Sequence, residues 1–452
     1  MIRIVAPEVV GLFTALLAGS QFVNTIGRSG TNYAYTTLVH SRSKKDEQSD
    51  LTTTFVSFTF FVSLILAVVS AINLLEAADV RASSFVSLNS FWLFTSTLMY
   101  FLIDAYSEIL WDIELAKGKF KRVFSRNLYL SGIKSCVPLL AVLIVPSSWS
   151  YLALTIGLLI SSTVSLLAAK RQPPHLANKS QHSAPPSGKI SFQLLIELLQ
   201  RGVPLAAVPI SLNIFLWPIL LNIIRYSGAS ELEGLRIGQL CAQGIGIITG
   251  AVMPVLLVKS SENPKQAQNK VNLAFNTCWV AIILVLSFYY SVDMHLIPWI
   301  FGAVNFDSIV AARMMVLSAA ASGLSQIPLQ QIFRPRKIIV ITILQVTCTV
   351  ISALIGILLF RGYQGLMSYL IISTAGPILL ITLLPIFNIK PSGEGILIKI
   401  ILLWSCLFFA MSSSSNMTSF LFSSTLLIVG FASSAKTMKT IIIKGLRPIT
   451  IK

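Results

Sequence analysis

The amino-acid sequence predicts an all-α protein that crosses a membrane many times. Three observations carry that expectation. Hydrophobic residues make up 54% of the chain and charged residues only 11%, with a mean hydropathy of +0.78, whereas a soluble domain carries roughly a quarter charged residues. Apolar runs of about 20 residues recur along the chain, the length a helix needs to cross some 30 Å of hydrocarbon. Lys and Arg are concentrated in alternate connections between those runs, the asymmetry that membrane insertion leaves. Backbone groups in lipid must be bonded within their own segment, so the runs are predicted as helices.

The predicted spans, about thirteen, lie near 9–37, 52–74, 84–107, 127–145, 149–169, 202–224, 234–258, 271–292, 308–331, 338–359, 363–386, 396–411 and 418–435. The net charge of +17 would suit nucleic acid if it were clustered on one soluble surface, but its distribution excludes that partner. Of the 34 Lys and Arg, 26 fall on one side under strict alternation. They include Arg42, Lys117 to Arg126, Lys170 to Arg201, Lys259 to Lys270, Lys399 and the tail from Lys436 on. The other side holds Arg3, Arg81, Arg225, Arg236, Arg313 and Arg361, while Arg28 and Lys134 lie within spans. The positive-inside rule then places the C-terminus in the cytoplasm and residue 1 outside.

An internal repeat organises these spans. PEVVGLF (7–13) aligns with SELEGLR (230–236), Gly11 meeting Gly234. Each copy opens a span that closes on a charged linker, 40–50 or 259–270, and 145–160 parallels 359–372 as two spans about a tight turn. Two six-helix-type lobes are expected, with residues 1–169 in the first and 202–386 in the second. Between them runs a Pro/Ser-rich basic linker, 170–201, whose end carries apolar residues at helical spacing and suits an interfacial helix. Residues 387–452 add two further spans and a basic tail. A helix near 202–224 precedes the second copy of the motif and nothing corresponds to it before the first. The expectation is therefore a fourteen-helix design lacking its first helix, through a late start or a deletion.

Taken in order, PEVVGLF, LLQRGVPLAAVPISLNIF (198–215), ELEGLRIGQL (231–240) and LIPWIFGAVNFDSIVAARMMVL (296–317) resemble the polysaccharide (O-antigen, Wzx-type) flippases. These are the oligosaccharidyl-lipid branch of the multidrug and polysaccharide exporter (MOP, MATE-like) superfamily. The likeness spans about residues 5–386 and rests on the order of features, with no invariant signature. It implies two lobes around a central cavity, no cofactor, and alternating access in a bacterial inner membrane. The implied substrate is an undecaprenyl-diphosphate-linked glycan, and polysaccharide polymerase or assembly proteins are implied as partners.

Such a flippase needs intramembrane cations for a doubly anionic head, because charges within spans are costly and point to function. Arg28 is the leading candidate, either as a cavity contact or as a snorkelling structural residue, with Asn24, Ser29, Asn32, Tyr33 and Tyr35 as its polar surroundings. Lys134 either joins it or reaches the inner surface along its own stem. Arg236 and Arg313 stand near outer mouths, as exit contacts or interface caps. Asp104 and Glu108 are one helical turn apart, for ion coupling or for salt bridges to Arg126 or Lys134. Pro204, Pro209 and Pro218 mark one span as a hinge or a static kink.

The chain has no GxxxxGK[ST] loop, no HExxH, no CxxC and no GxSxG, and its four His are scattered, so neither an active site nor a metal site is expected. Two rivals to the flippase remain. A cation-coupled multidrug antiporter of the same superfamily would place carboxylates in its cavity. A membrane glycan polymerase or glycosyltransferase would need a larger outer loop than 293–307.

Overall fold

The structure, a computed structural model, describes residues 7–42, 45–79, 90–145, 149–170, 188–262, 264–302, 306–329, 335–359, 365–386, 395–412 and 416–435. The Pro/Ser-rich part of the linker and the basic tail lie outside them. The described residues are all-helical, with no strand, and every predicted span holds a helix. The order is α1 (Pro7–Arg28), α2 (Thr31–Ser41), α3 (Lys45–Asp79), α4 (Ser90–Ala116), α5 (Phe120–Ile144), α6 (Ser150–Lys170) and α7 (Phe192–Tyr226). A 3-10 turn at Ala229–Glu231 leads into α8 (Leu232–Glu262). The rest are α9 (Pro264–Phe301), α10 (Phe306–Leu329), α11 (Pro335–Leu359), α12 (Gly365–Leu383), α13 (Ile396–Met411) and α14 (Asn416–Ala432). Seven helices are long and apolar enough to cross a membrane among the described residues.

Two differences from the predicted spans matter for function. The span at 9–37 is broken in its middle. Ser29 has φ 45° and Gly30 φ 74°, a left-handed pair that ends α1 and restarts the chain as α2; only glycine adopts such a φ without strain. Ser29 donates both its N–H and its hydroxyl to the Ile26 carbonyl, at 3.0 Å and 2.6 Å, and so satisfies an acceptor the break would leave open. By contrast, α7 runs unbroken through Gly202, Pro204, Pro209 and Pro218. Its N-terminus is capped by Ser191, whose side chain accepts from the Leu194 N–H, a contact that supplies one of the orphan donors.

The chain divides into two compact units, one of residues 1–233 with 362–366, the other of 234–361 with 367–452. This boundary differs from the lobe limits expected from the linker, because α7 packs on α1, α2 and α3. In the first unit, Leu198 of α7 joins a buried cluster with Ala34, Tyr35 and Leu38 of α2, Leu51 and Phe55 of α3, and Ile109 and Ala116 of α4. Glycines allow the closest approaches. A Cβ on Gly202 would lie 2.4 Å from the Gly30 carbonyl oxygen, and one on Gly11 only 1.6 Å from that of Ala229. The first glycine of the sequence repeat is thus a packing residue.

In the second unit, α13 and α14 pack on α10 and α9. Trp279 of α9 donates its indole N–H to Ser433 Oγ (3.1 Å). A Cβ on Gly430 of α14 would meet Ile283 of α9 at 2.6 Å. Phe409 and Phe422 stack at 4.1 Å between α13 and α14. The C-terminal helices are therefore integral to this unit's core.

Candidate functional site

The polar centre of the first unit is assembled from four helices. Positions four apart share a face of an α-helix, and α4 places Asp104, Glu108 and Asp112 on one. Ser20, Asn24 and Arg28 line the facing side of α1, Arg126 and Lys134 stand two turns apart on α5, and Ser162 and Ser165 come from α6.

The pairing runs in levels. Asp104, 2% exposed, forms an ion pair with Lys134 and accepts from the Ser20 hydroxyl, Asn24 Nδ2 (3.0 Å) and Ser162 Oγ (2.8 Å). One turn on, Glu108 pairs with Arg126 and stands 3.8 Å from Arg28 Nη1. A further turn on, Asp112 Oδ2 lies 3.2 Å from the same Arg28 nitrogen. Arg28 also donates its Nε–H to the Asn24 carbonyl at 3.0 Å, which turns the side chain back along α1 by one turn. Arg126 lies 5.3 Å from the Trp111 ring centre, and the Trp111 indole N–H reaches Ser165 Oγ at 3.2 Å. Beyond this ladder, Glu114 gathers Lys117, Lys119 and Arg122 at 3.4, 2.9 and 3.0 Å.

Three cations thus face three carboxylates inside span-length helices. Arg28 and Lys134, the two cations read within spans, are both ion-paired. The physical reason is desolvation, since a buried charge is tolerated when an opposite charge and hydrogen bonds replace its water. Of the two readings open for Asp104 and Glu108, the structure shows salt bridges, to Lys134 and Arg126 respectively. Arg28 keeps 22% exposure, the most of the three ladder cations, and its carboxylate partners Glu108 and Asp112 keep 19% and 9%.

The remaining candidates separate. Tyr33 lies within electrostatic reach of Arg28 and Asp112. The half-buried Asn32 side chain makes no hydrogen bond to the ladder among the described residues. Tyr35 instead bonds Thr52 at 3.0 Å and stacks on Phe55. Arg236 and Arg313 belong to the second unit, and neither stands at an open mouth. Arg236 is 4% exposed, with Nη1 3.4 Å from Gln239 Oε1. Arg313 is 0% exposed, in an ion pair with an equally buried Asp293; it also donates to Ser419 at 3.3 Å and lies over Phe409 at 5.0 Å. The expected outer loop from 293 is helical up to Phe301, which turns Asp293 inward.

Sequence reading missed Asp112, Asp293 and Lys399, and named Arg126 only as a salt-bridge partner. Asp112 continues the Asp104/Glu108 spacing, a signal that was present. Lys399, counted with the inner connections, is 1% exposed, bonded to Asn276 Oδ1 and held 5.6 Å from Phe275 and 5.9 Å from Trp279.

These helices have known structural counterparts. The chain is similar to an outward-facing multidrug resistance MATE family transporter of the MOP superfamily, at 15% identity and a TM-score of 0.54 over 89% of this chain and 90% of that one. It is similar to a eukaryotic MATE transporter at 14% identity and a TM-score of 0.58, covering 90% and 96%. An inward-facing MATE family transporter matches at 14% identity and a TM-score of 0.52, covering 96% and 92%. No protein-family model and no curated protein matches the sequence. At such identities the likeness establishes the fold alone: a multi-pass membrane protein whose helices are arranged as in the MATE family transporters.

Proposed function

We propose that the chain is a flippase, moving a polyprenyl-diphosphate-linked oligosaccharide across the bacterial inner membrane for surface-polysaccharide synthesis. The observation that supports this reading is the charge-matched ladder holding Arg28 beside a helix break. A balanced network offers no surplus of carboxylate to draw in a cationic drug, the need of the rival antiporter. Arg28 carries a planar, permanently charged fork that suits a carboxylate and a diphosphate equally. In the proposed cycle the diphosphate replaces Asp112 on Arg28. Asp112 is then left within electrostatic reach of Arg126, so its negative charge is never abandoned in the low-dielectric interior. The polyprenyl tail stays in lipid, and alternating access moves only the polar head.

The test is deletion of the gene, followed by extraction of membrane lipids. A polyprenyl-diphosphate glycan should accumulate on the cytoplasmic face. The wild-type chain should clear it, and Arg28→Ala at an equal membrane level should not. Intact surface glycan without accumulation overturns the flippase. Efflux of a fluorescent organic cation, lost in Asp112→Asn, would then put the antiporter in its place.

A further inference from the structure

We propose that one end of the first unit is a docking surface for the anionic phospholipid headgroups of the leaflet it meets, the cytoplasmic one by the charge asymmetry of the chain. Two features converge there. The turn between α4 and α5 places Lys117, Lys119 and Arg122 around the single carboxylate of Glu114, three positive charges against one. The lysines are 58% and 34% exposed. At the apex, Gly118 has φ 75° and a Cβ there would meet nothing within 4 Å, so the turn is open to an approaching headgroup.

The second feature is the start of α7. Ile190, Phe192 and Ile196 are 69%, 75% and 40% exposed, an apolar stripe at the start of α7; Arg201, 54% exposed and paired with Glu197 at 2.9 Å, lies on another face of the helix. The stripe is held in place. The Lys189 N–H donates to Asp50 Oδ1 at 2.7 Å and the Ser191 N–H to Thr54 Oγ1 at 3.1 Å, while Leu198 and Ala116 share a buried cluster that ties α7 to the end of α4. Basic and apolar features therefore belong to one fixed end.

A lipid leaflet matches both. The 35 residues of α7 extend about 52 Å, beyond the roughly 30 Å hydrocarbon core, so the ends of the helix reach the headgroup layers. A helix face of this composition settles at the boundary of headgroup and acyl chain. Cations beside it add roughly fivefold in affinity for each Lys or Arg near an anionic surface.

The experiment uses the full chain in nanodiscs of phosphatidylcholine, alone or with phosphatidylglycerol. Phosphatidylglycerol should raise the thermal midpoint by several degrees. That rise should shrink in Lys117→Gln/Lys119→Gln and weaken at high salt. Phe192→Trp fluorescence should be quenched by brominated acyl chains. Equal midpoints in the two lipids overturn the proposal, as does a rise reproduced by free inorganic phosphate in phosphatidylcholine discs. An unquenched Phe192→Trp removes the apolar half and points instead to a protein partner.

Discussion

Replacing Arg313 with Met removes the cation from a carboxylate that no solvent reaches. Asp293 and Arg313 are both 0% exposed, and Arg313 Nη2 lies 3.1 Å from Asp293 Oδ1. At that separation the attraction is about 5 kcal/mol for an effective dielectric of about 20. Breaking a buried pair by removing one partner costs about 3–5 kcal/mol, because the other charge is stranded. Arg313→Met and Asp293→Leu should therefore each destabilise the purified protein by that order. Removing both charges leaves neither uncompensated, so the double variant should lie well above the sum of the singles. A coupling energy of about 3 kcal/mol is expected from the double-mutant cycle. The assay is denaturant or thermal unfolding in detergent, followed by tryptophan fluorescence. Since Arg313 also contacts Ser419 and Phe409, both singles should loosen α13 and α14, measured as faster hydrogen exchange there. Additive singles, or a single variant costing under about 1 kcal/mol, would refute the reasoning, because the charges would then have to be solvated.

Two further outcomes can be checked. Gly202→Ala brings a methyl to 2.4 Å from the Gly30 carbonyl oxygen and should cost about 1–3 kcal/mol by overpacking; Gly132→Ala, where a Cβ would meet nothing within 4 Å, should be neutral or stabilise by up to about 1 kcal/mol, and unfolding midpoints of the two variants compare them. At the basic turn, burial alone would raise the Glu114 carboxyl, but the Lys119 hydrogen bond and the charges of Lys117, Lys119 and Arg122 outweigh it and hold it below its ordinary 4.5. A depressed folded value contributes stability in full above the unfolded value and loses it as pH falls through the folded one, so the gap in midpoint between wild type and Glu114→Gln should close below about pH 4.5 and stay constant above it; a gap that widens on acidification would contradict the assignment.

What the amino-acid sequence determined by itself is whatever one-dimensional physics controls. Hydrocarbon thickness sets the length of an apolar run, so the helices fall where the runs do. The all-helical fold class follows from the need to bond backbone within each segment. The one-turn spacing of Asp104 and Glu108 announced a charged face. Which helix that face meets is a different kind of question. Arg28 and Asp112 stand 84 positions apart, and Asp293 and Ser419 both reach Arg313 from other helices; no local propensity encodes such pairings. Only the tertiary structure decided that Arg126 and Lys399 are interior residues and not inner-surface charges, because a long cationic stem turns inward when a carboxylate, an amide or an aromatic face waits there. Tertiary packing also decided where the span helices break. The prolines of α7 are tolerated within a continuous helix, whereas Ser29 and Gly30 take left-handed φ values beside the backbone of Gly202, next to the arginine proposed to meet the substrate.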